Sequence, residues 1–157
     1  MNVQPMFEIQ KKFNDTLNIN PELDSYKLRA RKNLFFQITL GELANETICF
    51  NYLSDNLKSI DIDKVFNKYM ICISQVLTLG IDHKYDFMEF IDMIPNDYCL
   101  SDQFLNLYID INDLIASPSM DHYQTLFEDL LSLGLTLGFS EEQISEKLED
   151  NLELILV

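Results

Sequence analysis

From Tyr69 to Leu79 the chain runs Tyr-Met-Ile-Cys-Ile-Ser-Gln-Val-Leu-Thr-Leu, apolar nearly all the way round a helix. Such a helix is stable in water only when other elements cover it on several sides, so it must lie at the centre of the fold. The neighbouring segments have the pattern of covering helices. Met6, Phe7, Ile9, Phe13 and Leu17 recur at helical spacing and predict an amphipathic helix over residues 3–17. Asn18-Ile19-Asn20-Pro21 ends it, because proline cannot continue the hydrogen-bond ladder. Asp24 or Ser25 caps a long second helix to about Phe50, with Leu28, Leu34, Phe35, Ile38, Leu43 and Ile48 facing inward. Gly41 lies within it at a cost of roughly 1 kcal/mol relative to Ala, which implies close approach of another backbone or a site nearby.

The central run belongs to a third helix, about Asp61 to Leu79, after a break at Ser54-Asp55-Asn56. Residues 84–99 are less periodic and turn at Pro95-Asn96-Asp97. Ser101 is placed to cap a fourth helix to about Ala116, and Ser117-Pro118-Ser119 separates it from a fifth that ends at Gly138. Ser140-Glu141-Glu142-Gln143 forms a capping box for a last helix carrying Ile144, Leu148 and Leu152. No segment alternates with the period of a strand. The expected fold is therefore an all-α bundle of about six helices in one domain, residues 1–157. Because the run Tyr69–Leu79 offers more apolar surface than six helices of one copy comfortably cover, a homodimer is expected. Val76–Ile81 and Gly134–Phe139 resemble one another, a likeness over six residues that chance similarity of helix ends explains more readily than the alternative, an old duplication.

Charge narrows the functions open to the chain. Residues 1–60 hold seven Lys or Arg against seven acids, whereas residues 61–157 hold 19 acids against four bases and so carry the whole net charge of −15. Such a surface repels phosphate backbones and argues against direct nucleic-acid binding. It suits water, or a basic partner such as a regulatory or DNA-binding protein met on its own DNA-reading surface. Residues 81–113 concentrate eight acids against Lys84 alone, interleaved with Tyr85, Phe87, Phe90, Tyr98, Phe104 and Tyr108. Asp86, Glu89 and Asp92 are the expected partner-binding acids there, the alternative being that the aromatics are core and the acids merely face water.

Cys49, Cys72 and Cys99 are odd in number and widely spaced, with only His83 and His122 to join them, so neither a disulfide framework nor a structural zinc site is expected. No basic-then-apolar leader opens the chain and no apolar run approaches the ~18 residues of a membrane span. The expectation is a soluble cytoplasmic protein with no membrane association.

The hexapeptide Gly41-Glu42-Leu43-Ala44-Asn45-Glu46, with Met6–Lys11, Cys49-Phe50-Asn51-Tyr52, Ile73–Gly80, Tyr123–Gly138 and Ser140–Ile144 in the same order, resembles the all-α dimeric dUTPases, relatives of the MazG pyrophosphohydrolases. That resemblance implies hydrolysis of dUTP with Mg²⁺ held by two acidic pairs at i, i+3 on adjacent helices. In this chain the first pair falls on Thr39 and Glu42 and the second on Lys68 and Ile71, so three of four carboxylates are replaced. Asn67 stands where another acid is usual, and Ser74 where the family has a His. Glu42 and Glu46, at i, i+4, are the remaining candidates for a metal. The expected outcome is that Lys68 takes the place of the metal beside Glu42; the alternative is that Lys68 points outward.

In the family's C-terminal phosphate-binding motif Asn151 matches one position, while Asp150 stands where a base is usual. Asp110 with Asp113, and Asp86 with Glu89, also have i, i+3 spacing, which 26 acids in 157 residues generate by chance. No P-loop, G-x-S-x-G, Cys–His or H-E-x-x-H arrangement occurs. The resemblance thus implies a catalytically degenerate relative, without a cofactor, that acts by binding a protein. Some phage members of the family act on repressors, which suggests a regulatory or decoy role. The alternatives are an active, Mg²⁺-dependent nucleotide pyrophosphohydrolase and nucleotide sequestration without hydrolysis.

Overall fold

The central run does sit at the centre. In the computed structural model, which describes residues 1–55 and 58–155 and the side chains of these as far as 150, it lies within α3, Ile62–Asp82. Around it stand α1 (Gln4–Asn14), α2 (Ser25–Thr47), α4 (Leu100–Ala116), α5 (Met120–Thr136) and α6 (Glu141–Ile155). α3 packs against α1, α2, α5 and α6, and α4 closes the bundle against α2 and α5. The fold is all-α, and the described residues form no strand, only an isolated bridge between Asn2 and Phe90. No described helix is long and apolar enough to cross a membrane.

The covering is nearly complete within one chain, with only Ile71, Gln75 and Thr78 of the run half-buried. Tyr69, Met70, Cys72, Ile73, Val76 and Leu77 are fully buried. The inference of a partner from this run therefore fails, because α1, α2, α5 and α6 already share the surface that seemed too large. Apolar surface is left elsewhere, on α2. Of its residues expected inside, Leu34, Phe35 and Ile38 are 57%, 53% and 53% exposed. The inward stripe is instead Phe36, Thr39, Leu40, Leu43 and Thr47. α2 carries two apolar stripes, and packing against α3 and α4 decides which is buried.

Local chemistry sets the boundaries. Asp24, not Ser25, caps α2, accepting from the Lys27 N–H at 2.8 Å. α2 stops at Thr47, three residues before Phe50, because Ile48 turns left-handed at φ 56°. Asp61 caps α3 and Ser119 caps α5 through the His122 N–H at 3.1 Å. The Ser140 capping box closes both ways, with Gln143 N–H to Ser140 Oγ at 3.1 Å and Ser140 N–H to Gln143 Oε1 at 2.8 Å. Ser101 is not a cap. α4 starts after Cys99, and Ser101 in its first turn donates to the Cys49 carbonyl at 2.8 Å, tying α4 to the end of α2. α1 ends at Asn14, three residues short of the expected Leu17.

α3 and α5 cross by a reciprocal device. Tyr69 of α3 donates to the Leu130 carbonyl at 2.9 Å and lies over Gly134, while Tyr123 of α5 donates to the Val76 carbonyl at 2.9 Å and lies over Gly80. A methyl group on either glycine would overlap the phenol facing it. Gly41 is a milder case: the approach comes from the Tyr108 phenol of α4, which donates to the Gln37 carbonyl at 3.0 Å, and not from a backbone. The irregular segment after α3 is held to the N-terminal residues. Val3 N–H meets the Glu89 carbonyl at 2.9 Å, and the Gln4 amide reaches the carbonyls of Asp86 and Met88.

Candidate functional site

α2 and α3 run antiparallel and are joined by polar rungs along one seam. Lys32 meets Asp82 at 2.8 Å, Thr39 accepts from the Gln75 amide at 3.0 Å, and Lys68 Nζ lies 2.6 Å from Glu42 Oε2. Beyond Glu42, Glu46 and Lys64 line a cavity of about 260 Å³ with Lys58 and Phe50. All of Thr39, Glu42 and Lys68 therefore do reach the seam. Ile71, one turn after Lys68, is half-buried against the core.

The Lys68 side chain is 34% exposed and that of Glu42 48%. The pair is at the surface, so its Coulomb attraction is screened, but its geometry is that of a charge-assisted hydrogen bond. Thr39 is 1% exposed and its hydroxyl is spent: it donates to the Phe35 carbonyl at 3.0 Å and accepts from Gln75. Gln75 Oε1 is buried with no hydrogen-bond partner. Cys72 lies behind the pair, where burial pushes its thiol far up and keeps it protonated and inert. Ser74 points away from the seam into α1, donating to Gln10 Oε1 at 2.9 Å.

This donor set does not fit a divalent ion. Mg²⁺ takes six oxygen ligands in an octahedron, of which the protein usually supplies one or two free carboxylates beside waters and substrate phosphates. Here one carboxylate is held by an ammonium, one hydroxyl is engaged on both sides, and the fourth position is a hydrocarbon. Glu46 stands one turn from Glu42 but faces the cavity. Among the described residues no three His, Cys, Asp or Glu converge to hold a metal. Asn151 lies outside the described side chains.

The other acidic pairs separate once their elements are known. Asp86 and Glu89 are not on a helix, so the i, i+3 argument does not apply to them. Asp86 is bound to Lys11 at 2.7 Å, and that hydrogen bond holds its carboxyl below the usual range; Glu89 and Asp92 remain exposed. Asp113 faces water, whereas Asp110 is 9% exposed and faces Asp129 of α5. Of the aromatics in this region, Phe87, Phe90 and Tyr98 are exposed; Phe104 is buried, and Tyr85 and Tyr108 pack partly against the core.

Two features escaped the linear reading. The Gln75–Thr39 rung depends on helix register, which no single helix shows. The Asp110–Asp129 contact left a signal: Asp110 lies on the inner face of α4 between Leu107 and Leu114.

A family model described as dUTPase matches residues 2–151. No curated protein and no solved structure matches the chain.

Proposed function

The chain belongs to the dUTPase family, and from that premise we propose that it acts by binding rather than by metal-dependent hydrolysis. The observation that carries this reading is the 2.6 Å ion pair of Lys68 with Glu42, at positions where the family resemblance places two of four metal-binding acids. An ammonium there neutralises the one remaining acid internally. It also opposes the approach of a cation, while Ile71 and the engaged Thr39 offer nothing in exchange. Activation of water by a bound metal then has no place on this seam.

The partner in this reading is a protein, regulatory or DNA-binding, met on the acidic surface. Support comes from Phe87 and Phe90, 67% and 69% exposed, beside the acids Glu89 and Asp92, which form no ion pair among the described residues. Exposed aromatics supply affinity and the surrounding charge steers encounter. Asp86, the third acid of that surface, is paired with Lys11 at 2.7 Å in the free protein. The working unit is a homodimer, joined over exposed apolar residues of α2 (Leu34, Phe35, Ile38) and α4 (Leu105, Ile109), two helices held side by side by Gln37, Asn112 and Tyr108.

One observation favours a second reading, weak Mg²⁺-dependent nucleotide pyrophosphohydrolysis: Glu46 lines a cavity next to the seam, among Lys58 and Lys64. Manganese binding separates the two. Free Mn²⁺ followed by electron paramagnetic resonance should show no stoichiometric site that depends on Glu42 or Glu46. A site lost on Glu42→Ala or Glu46→Ala would overturn the binding-only reading.

A further inference from the structure

We propose that a second copy of this chain docks on the face formed by α2 and α4, with α2 of each copy lying on α4 of the other and Arg31 meeting the partner's Asp102. This deepens the homodimer above and rests on that reading for the existence of a second copy.

An internal two-fold axis carries the inference. Tyr69 and Gly80 of α3 are spaced as Tyr123 and Gly134 of α5 are. Each tyrosine lies over the other helix's glycine and donates at 2.9 Å to the carbonyl one turn before it, Leu130 or Val76. Val76-Leu77-Thr78-Leu79-Gly80-Ile81 accordingly matches Leu130-Leu131-Ser132-Leu133-Gly134-Leu135, one turn before the stretch that looks alike in the linear sequence. Matching Tyr69 with Tyr123 also matches the rungs of the two hairpins. Asp82 with Lys32, at 2.8 Å between α3 and α2, corresponds to Thr136 with Gln103, at 3.1 Å between α5 and α4. Gln75 with Thr39 corresponds to Asp129 with Asp110. Between α2 and α4 the reciprocity recurs: Tyr108 approaches Gly41, while its counterpart Gln37 meets Asn112, the counterpart of Gly41. Such crossed pairs are the mark of a two-fold contact, so α2–α3 and α4–α5 are related as the halves of an isologous dimer.

No other helix covers α2 and α4 where this axis emerges between them. There the exposed residues are themselves matched. Arg31, Leu34 and Ile38 form one stripe of α2, and Asp102, Leu105 and Ile109 stand, equally exposed, at the corresponding positions of α4. The two stripes differ in the charge at their ends. Among the described residues neither Arg31 nor Asp102 forms an ion pair, and Asp102 accepts from the Cys99 thiol at 3.2 Å. A copy turned so that like stripes meet would set Arg31 on Arg31 and Asp102 on Asp102. A copy turned so that α2 lies on α4 joins opposite charges at both ends of an apolar centre. Electrostatics therefore select the second arrangement.

Sedimentation equilibrium of the full chain tests this. The wild type should be a dimer whose dissociation constant rises with salt. Arg31→Asp and Asp102→Arg should each raise that constant about tenfold, since each sets like charges together at both ends. Arg31→Asp combined with Asp102→Arg should restore it to within about twofold. Lys12→Asp, the same charge change on the exposed side of α1, should leave it unchanged, and every variant should keep its helical circular dichroism because all three side chains are exposed. A dimer that both single variants leave intact, or that the double variant weakens as much as the single ones, would overturn the arrangement while the dimer stands. A wild-type chain that is monomeric at every concentration would overturn the dimer and the arrangement with it.

Discussion

At the scale of single residues, Asp110 carries the clearest pH signature. Its folded value is raised to about 8 from 3.8 in the free group, so the native chain binds a proton that the unfolded chain releases. The stability this contributes is fully present below about pH 4 and is lost as pH rises towards 8. Asp110→Asn should therefore flatten urea stability between pH 5 and 8 and raise it at pH 8 by about 1–2 kcal/mol. An unchanged pH slope would contradict the assignment. Lys68 behaves differently. With side chains 34% and 48% exposed, its pair with Glu42 is too solvated to matter much to folding, and Lys68→Met should cost under ~1 kcal/mol. The pairing of Lys68 with Glu42 was legible because a resemblance had placed both on facing helices. The Gln75–Thr39 rung was not, since it depends on the sliding register of α2 against α3.

At the scale of elements, the breaks and two of the caps were legible, because Asp24, one of the two candidates for α2, and Ser140 act through bonds to backbone three residues away; Asp61 and Ser119 cap α3 and α5 in the same way but were read only as a helix start and a break. Ser101 misled for the same reason in reverse: its hydroxyl finds a distant carbonyl at Cys49 instead of its own helix. The inner face of α2 was not legible, since a helix with apolar residues at both 34, 35, 38 and 36, 40, 43 leaves the choice to its neighbours. The α3–α5 crossing makes a sharp prediction at this scale. Gly134→Ala drives a methyl group into Tyr69, whose hydroxyl is already bonded to Leu130, and should destabilise the fold by about 2–3 kcal/mol in thermal or urea unfolding. Gly138→Ala meets no neighbour and is strained only by its φ of 91°, so it should cost about 1 kcal/mol and less than Gly134→Ala.

At the scale of the whole molecule, the all-α bundle followed from one buried run and its amphipathic covers, and the structure keeps that order. The reason given for a second copy did not survive, since one chain buries all of Tyr69–Leu79 but the half-buried Ile71, Gln75 and Thr78. The apolar residues left on α2 and α4 give a different ground. Light scattering should report a dimer, and Phe35→Glu with Ile109→Glu should yield a folded monomer; a wild-type monomer at every concentration would remove that ground. The charge asymmetry, with the whole of −15 beyond residue 60, disfavours contact with phosphate backbones over that part of the chain. The central claim remains that an internal ion pair stands where the family resemblance places metal-binding acids. Turnover of dUTP in saturating Mg²⁺, followed by pyrophosphate release, tests it most directly: no rate above background is predicted, and a Mg²⁺-dependent rate that disappears in Glu42→Ala would contradict it.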